Sequence, residues 1–182
     1  MMSTKNILIG ITGGIAAYKT LDLIHQLHKN GHVVKVILTP KATQFVTELS
    51  VRTLSTFPAY TDTSEHVGDP TAHIELALWA NIFLIAPITA NTIAKLALGL
   101  ADNLLTTSVL ALPSTTPLML APAMNTRMWD NPLVKGHLQT LSQTYPNLSI
   151  IAPRESVLAC GETGMGAMAT IDTLVDAVNA GQ

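Results

Sequence analysis

The segment following residue 118 carries an amide, a thioether and an indole within a few residues of one another. Its apolar run ends at Pro122, and Asn125, Met128 and Trp129 follow closely. An uncharged amide beside large apolar side chains, on a loop after a buried strand, suits binding of a polar small molecule with an apolar tail. The alternative is a packed loop that only closes the core, because short motifs also occur by chance.

A single cysteine, Cys160, lies in a glycine-rich stretch, Leu-Ala-Cys-Gly-Glu-Thr-Gly-Met-Gly-Ala-Met. Three glycines so close together predict a flexible flap rather than a core element. An unperturbed thiol is mostly protonated at pH 7, so an exposed Cys160 could donate a proton without further tuning. The alternative is a small buried apolar residue, which is the usual environment of a lone cysteine.

His73 is the histidine best placed for proton transfer. It opens the run His-Ile-Glu-Leu-Ala-Leu-Trp-Ala, just before a predicted strand, and a neutral imidazole can accept a proton near pH 7. The alternative is a capping or surface histidine. The other histidines have no evident partner or belong to the first predicted helix and its end: His25, His28, His32, His66 and His137. No spacing of His, Cys, Asp and Glu predicts a metal site.

A glycine turn, Thr12-Gly13-Gly14, joins the first predicted strand to the first predicted helix. Glycines followed by a helix N-terminus suit a phosphate, although neither a dinucleotide fingerprint nor a P-loop is present, and a plain tight turn is the alternative. The second strand ends at Thr39, where a dinucleotide site normally offers Asp or Glu to the ribose. A hydroxyl there favours a mononucleotide such as FMN over NAD or FAD.

A second polar turn, Thr89-Ala90-Asn91-Thr92, follows the third long strand. Thr89 or Asn91 could simply cap the next helix. Capping and phosphate binding are compatible, because a helix start also presents free N–H groups. Two such helix starts at neighbouring strand ends would form the crevice in which ligands of open α/β sheets bind.

The hydrophobic pattern predicts an α/β protein with a three-layer, Rossmann-like (flavodoxin-like) fold and a central parallel sheet. Apolar runs alternate with amphipathic ones and no linker interrupts them, so residues 1–182 are predicted to form one domain. Residues 57–72 and 153–169 are predicted to be irregular. The predicted strands are residues 6–11, 32–38, 82–86, 118–121 and 148–152, and the predicted helices are 15–30, 91–98, 102–112, 132–145 and 171–180.

Composition narrows the class of partner. Only 12% of the 182 residues are charged while 48% are hydrophobic, against about a quarter charged in ordinary domains. This predicts an exterior covered by other copies of the chain. A net charge of -2 argues against nucleic acid or an anionic membrane as partner. One cysteine and no long apolar span favour the cytoplasm.

Taken together, these segments resemble the flavin-containing cysteine decarboxylase family over nearly the whole chain. Residues 12–16 are similar to its first phosphate turn, and residues 89–92 to its Ser-Ala-Asn-Thr flavin motif, with Thr in place of Ser. Residues 122–129 match its Pro-x-Met-Asn-x-x-Met-Trp substrate motif in full. Residues 158–166 resemble the flap that carries its reductive cysteine, and His73 matches its active-site histidine.

The resemblance implies a set of site residues. FMN contacts fall on Gly13, Gly14, Ile15, Thr39, Thr89, Ala90, Asn91, Thr92 and Ala123. Substrate contacts fall on Asn125, Met128, Ala159 and Gly161, and the catalytic residues are His73 and Cys160, with no metal. Two positions depart from the family: Ala167 stands where many members have Arg, and Asn81 where Asp often follows the histidine helix.

The implied activity is decarboxylation of 4'-phosphopantothenoylcysteine in coenzyme A biosynthesis. The substrate thiol is oxidised to a thioaldehyde by FMN, CO2 is lost, and the resulting enethiolate is reduced again with a proton from Cys160. Asn125 would hold the carboxylate and His73 would perform acid-base work. The family builds this site between subunits of a trimer, sometimes with trimers assembled further, and its members are often fused to the phosphopantothenate-cysteine ligase that makes the substrate.

Two other functions remain open from the sequence. A peptidyl-cysteine decarboxylase shares the flavin and Met-Asn motifs, but Cys160 argues against it. A flavin-binding regulatory subunit without catalytic activity normally carries acidic extensions, which this sequence lacks.

Overall fold

A computed structural model describes residues 4–62 and 71–181. Its main sheet has six parallel strands in the order β3-β2-β1-β4-β5-β6. The strands are β1 (Asn6–Ile11), β2 (Val33–Leu38), β3 (Ala59–Tyr60), β4 (Ile82–Ile88), β5 (Leu118–Pro122) and β6 (Leu148–Ile150). A separate antiparallel hairpin pairs β7 (Arg154–Val157) with β8 (Thr163–Ala167).

Helices cover both faces of the sheet. They are α1 (Lys19–Lys29), α2 (Glu48–Ser55), α3 (Ala72–Trp79), α4 (Ala90–Ala97), α5 (Leu104–Leu110), α6 (Thr126–Trp129), α7 (Pro132–Thr144) and α8 (Ile171–Ala180), with 3-10 turns at Ile15–Tyr18 and Ala42–Gln44. Within the described residues, every helix is too short or too polar to cross a bilayer.

The two halves of the core follow from the alternation of side chains along buried strands. In β1, Ile7 and Ile9 pack with α1, α2 and α8. Leu8 points to the opposite face and packs with α3, α4, α5 and α7. The same alternation in β4 separates Leu84 from Phe83. Strands buried on both faces are the reason that the sequence reads as continuous apolar runs.

The predicted three-layer fold with a central parallel sheet is confirmed, and element ends differ by a few residues. The first predicted helix, residues 15–30, divides into a 3-10 turn and α1. Gly14 supplies no side-chain cap at its start, and a tighter first turn is common at helix ends. Strand β3 was missed because two residues carry no readable periodicity.

The predicted irregular stretch at residues 153–169 is wrong, because it contains the β7–β8 hairpin. Glycines in β8 disfavoured a strand on propensity, and tertiary packing overrides that preference. The other irregular stretch, residues 57–72, contains β3 and the start of α3, and its residues 63–70, including His66, lie outside the described residues.

Helix α3 carries His73 and is anchored on the α5 side of the sheet. Leu76 is buried in that half of the core, and the carbonyl of Trp79 accepts a hydrogen bond from the Asn6 amide at 3.1 Å. Asn81 Oδ1 accepts the Asn6 N–H at 2.8 Å. Asn81 therefore provides the acceptor that the Asp expected from the family resemblance would also provide, and α3 keeps this anchor.

Candidate active site

The crevice of the sheet lies between β1 and β4, whose following helices pack on opposite faces. Thr12, which is buried, directly follows β1. Its hydroxyl donates to the Pro87 carbonyl at 2.8 Å and accepts the Thr89 N–H at 3.0 Å. One side chain therefore joins the two turns that the sequence predicted as a ligand crevice.

The two glycines of the first turn serve different purposes. A Cβ on Gly13 would lie 2.2 Å from the Cβ of Lys41, so Gly13 allows the turn to pack against the chain after β2. A Cβ on Gly14 would meet only Thr89 Cγ2, at 3.6 Å. Gly14 and the exposed Ile15 face a cavity of about 530 Å³.

Thr89 and Thr92 form the cap of α4. Thr89 Oγ1 accepts the Thr92 N–H at 3.4 Å, and the two hydroxyls lie 3.3 Å apart. Asn91 is exposed on the first turn of the helix. Thr39 is buried, and its hydroxyl donates to the Ile11 carbonyl at 3.3 Å. Each hydroxyl has a protein partner and keeps a lone pair for a ligand.

The β7–β8 hairpin forms the opposite wall of the cavity and displays Cys160 at its tip. Gly161 N–H donates to the Leu158 carbonyl at 2.8 Å, and Gly161 has a φ of 86°. A turn followed by a left-handed glycine is a common hairpin connection. The positive φ explains why glycine follows the cysteine, and the cysteine is exposed.

Two other glycines attach the hairpin to the segment after β5. A Cβ on Gly164 would lie 2.4 Å from Thr126 Oγ1, and a Cβ on Gly166 would lie 2.1 Å from the Met124 carbonyl oxygen. Met124 N–H donates to the Gly166 carbonyl at 2.9 Å. The glycines that suggested flexibility therefore permit backbone contact, which holds the hairpin on the loop.

Asn125 and Cys160 meet at the cavity. Asn125 Oδ1 accepts the Arg127 N–H at 2.8 Å and so caps α6. Its Nδ2 donates to Cys160 Sγ at 3.4 Å. Because the oxygen is occupied by the helix cap, the amide NH2 is oriented toward the thiol. A hydrogen-bond donor and a proton donor are thus side by side, although they lie 35 residues apart in sequence.

The cavity unites six of the predicted site residues: Gly14, Ile15, Ala123, Asn125, Ala159 and Cys160. The other predicted residues do not line it: Gly13, Thr39, His73, Thr89, Ala90, Asn91, Thr92, Met128 and Gly161. Met128 is about half exposed on α6. His73 belongs to α3, which packs on the opposite face of the sheet from α1, and it is not part of the cavity lining.

Sequence reasoning missed Tyr18 and Lys19, which also line the cavity. Among the described residues, Lys19 is the one charged side chain in this lining. Their spacing from Ile15 could have indicated them in the sequence, because residues three or four apart share a face of a helical turn. Ala167 lines the cavity too. No cluster of three potential metal ligands occurs in the described part of the chain.

This arrangement defines an α/β protein with a ligand crevice at the switch point of its sheet. A model of the Flavoprotein family matches residues 1–181, and the chain belongs to that family. It is 45% identical over 177 residues to a probable phosphopantothenoylcysteine decarboxylase of Streptococcus mutans, covering 96% of this chain and 97% of that protein. It is 42% identical over 176 residues to the bifunctional protein CoaBC of Bacillus subtilis, covering 96% of this chain. The chain spans only 42% of that relative's length.

Solved structures are similar over the same extent. A cysteine-to-serine mutant of a PPC decarboxylase, complexed with pantothenoylaminoethenethiol, has a TM-score of 0.87 at 38% identity and covers 97% of each chain. The FMN-binding protein AtHal3 has a TM-score of 0.82 at 38% identity, covering 97% of this chain and 95% of its own. The peptidyl-cysteine decarboxylase EpiD has a TM-score of 0.78 at 27% identity, covering 96% and 98%.

The glycine contacts predict that Gly166→Ala detaches the hairpin. Its Cβ would collide with the Met124 backbone, and φ of 147° is unfavourable for alanine. We expect a loss of about 1–3 kcal/mol in unfolding free energy. A matched control is Gly136→Ala in α7, where the Cβ meets nothing within 4 Å and should raise stability by about 0.5–1 kcal/mol. Denaturant unfolding measures both, and equal effects would contradict the contact.

Proposed function

We propose that this chain catalyses the FMN-dependent decarboxylation of 4'-phosphopantothenoylcysteine to 4'-phosphopantetheine and CO2, in coenzyme A biosynthesis. The observation that carries this proposal is the contact between the Asn125 amide and the Cys160 thiol, 3.4 Å apart over a cavity of about 530 Å³. The identities to phosphopantothenoylcysteine decarboxylases and to CoaBC support it.

The residues present fit FMN. The cavity volume is within the range of cofactor pockets, and the space beside Gly14 would be reduced by any side chain there. Ile15 and Ala123 line the same space. We propose that the phosphate and ribityl contacts come from the two turns and the end of β2, through Gly13, Thr39, Thr89, Ala90, Asn91 and Thr92. FMN, when bound, supplies the oxidation of the substrate thiol and the later return of hydride.

Asn125 is proposed to bind the substrate carboxylate. Its oxygen is held by the cap of α6, so its NH2 group is fixed in direction before substrate arrives. A hydrogen bond to a charged partner is worth about 1.5–3 kcal/mol, more than one to a neutral group. The amide neither adds charge nor protonates the carboxylate, so CO2 can leave from the ionised form.

Cys160 is proposed to donate the proton that completes the final reduction. The hairpin tip carries the thiol directly to Asn125, so donor and substrate carbon would share one pocket. Ala159 lines the cavity, and Gly161 provides the turn that presents the thiol. These two residues are assigned to substrate contact, and Met128 to packing beside it. The hairpin itself would exclude water from the enethiolate.

His73 is proposed to act from a second copy of the chain. Next to it on α3, Ile74 is 42% exposed and Leu78 is 66% exposed. These two lie one turn apart and form an apolar stripe on the outer side of the helix. A stripe of this kind buried against another subunit would carry His73 to that subunit's cavity. The low charge content of the chain agrees with such burial.

The remaining assignments belong to the same proposal. We assign a homotrimer, or an assembly of trimers, with active sites between subunits, in the cytoplasm. Residues 1–182 would form one FMN-binding domain. The phosphopantothenate-cysteine ligase is the proposed functional partner, because the CoaBC relatives combine two activities in one longer chain.

The first test of this function is direct. The purified protein should be yellow, acid should release FMN, and phosphopantothenoylcysteine should yield one CO2 and one phosphopantetheine per turnover, because the electrons removed from the thiol return to the product. The absorbance spectrum and mass spectrometry of products measure this. A colourless protein that takes up NAD but not FMN would contradict the assignment of FMN as the cofactor.

Asn125→Asp tests the carboxylate site. Aspartate also caps helices well, so α6 should persist while the NH2 donor is replaced by a like charge. We expect kcat/KM to fall at least about 100-fold, equivalent to about 2.7 kcal/mol, with FMN still bound. The matched control is Asn131→Asp, which alters the same kind of cap on α7. Activity of Asn125→Asp within about tenfold of wild type would place the carboxylate elsewhere.

Cys160→Ser tests the order of events. A serine hydroxyl is a much weaker acid than a thiol, so the last protonation should fail while CO2 release survives. The variant should release one CO2 per site, bleach its flavin absorbance and accumulate the unreduced enethiol. Single-turnover spectroscopy with product mass spectrometry measures all three. Normal turnover to phosphopantetheine would reject Cys160 as the proton donor.

Subunit complementation tests the position of His73. His73→Asn and Asn125→Asp should each be inactive alone. Mixed assemblies would contain sites with His73 from one chain and Asn125 from the other. Random mixing of equal amounts should then restore about a quarter of wild-type sites, because each site needs one specific donor on each side. No recovery in mixed assemblies, verified with two affinity tags, would place both residues in one chain.

A further inference from the structure

The tip of the β7–β8 hairpin is held by few polar contacts. Nearer its base, Gly164 and Gly166 pack on Thr126 and Met124. At the tip, two side-chain hydrogen bonds join described residues of the hairpin to the segment after β5: Asn125 to Cys160, and Arg127 to Glu162. Both reach the tip from the start of α6, so this short helix is the platform on which the tip rests.

The second contact is an ion pair. Arg127 Nη2 lies 3.3 Å from Glu162 Oε1, two residues beyond Cys160. The ion pair and the cap of α6 use different groups of Arg127. Its guanidinium donates to Glu162 in the hairpin, whereas its backbone N–H donates to Asn125. Neither the Arg127 guanidinium nor the Glu162 carboxylate has a role in the proposed reaction.

Substrate binding would remove one of the two contacts. Under the proposed function, the substrate carboxylate replaces the Cys160 thiol as the acceptor of the Asn125 NH2 group, which keeps its direction. Of these two side-chain contacts between described residues, the tip then keeps the ion pair at the moment when the thiol must donate its proton. A two-stranded hairpin is marginally stable alone, so the tip depends on whatever contact remains.

We infer that Arg127 is a positioning residue, which through Glu162 holds the hairpin tip over the cavity while Asn125 is bound to substrate. This inference rests on the proposed function for its catalytic consequence, but not for the contact itself. We expect the ion pair to make a modest contribution to the position of the hairpin tip. The Arg127 side chain is 84% exposed and that of Glu162 is 53% exposed, and exposed pairs change equilibria by up to about fivefold.

The predicted consequence is incomplete reduction of product. In the FMN-loaded enzyme, Arg127→Gln should raise the ratio of unreduced enethiol to phosphopantetheine by about two- to fivefold. CO2 release should stay within about twofold of wild type, since Asn125 is intact. Glu162→Gln should give the same ratio, and the double variant should be no worse than either single one. The matched control is Glu155→Gln, which removes an exposed carboxylate from the same hairpin.

Charge dependence separates the ion pair from general damage. Arg127→Glu combined with Glu162→Arg should restore the wild-type product ratio, because the pair is reformed in reverse. Raising the salt to about 0.5 M screens exposed charges. It should move the wild-type ratio toward that of Arg127→Gln and leave the variant's ratio unchanged.

A second measurement does not require catalysis. Hydrogen exchange of FMN-loaded protein should be faster at the Leu158 and Gly161 amides in Arg127→Gln, and unchanged in Glu155→Gln. The inference is overturned if both readouts of Arg127→Gln equal wild type, or if charge reversal recovers neither. Absence of any decarboxylation would instead reject the proposed function. The hydrogen-exchange result would still show whether the Arg127–Glu162 pair holds the hairpin tip.

Discussion

The close approach of Gly166 to the Met124 backbone is the constraint on which the site depends. There is no space for a Cβ at this position, so only glycine lets β8 lie against the segment after β5. That contact turns a hairpin, which would be marginal alone, into a wall of the cavity. Cys160 reaches Asn125 only because the hairpin is seated there. A glycine-rich sequence thus gains rigidity through packing, although its local preference is for freedom.

Asn125 links helix capping to chemistry. Its oxygen satisfies a backbone N–H of α6, and its nitrogen contacts the thiol. The oxygen of the amide therefore caps the helix while the nitrogen is available for binding, and the capping hydrogen bond fixes the direction of the NH2 group. Such orientation in advance is what a binding group needs, since the cost of ordering it is already met in folding. The short helix that Asn125 caps also presents Arg127 to the hairpin tip.

Under the proposed function, His73 would act on the cavity of a second copy of the chain. Its helix is anchored in the half of the core that holds Leu8, whereas the cavity opens among residues of the first turn and the hairpin. The exposed Ile74 and Leu78 beside it are unusual for the outer side of a helix. The proposed subunit interface would account for both observations, and a site divided between chains would couple assembly to activity.

The amino-acid sequence by itself determined the layers and the crevice, because buried parallel strands and helix starts are written in local patterns such as residues 6–11 and 89–92. It also singled out Asn125 and Cys160 by type. Tertiary structure decided three features that no local sequence pattern predicts: the β7–β8 hairpin, the different roles of Gly13 and Gly14, and the Arg127–Glu162 ion pair. These arise from contacts between segments distant in sequence. A glycine required for close approach and a glycine required for flexibility look identical until the neighbouring backbone is in place.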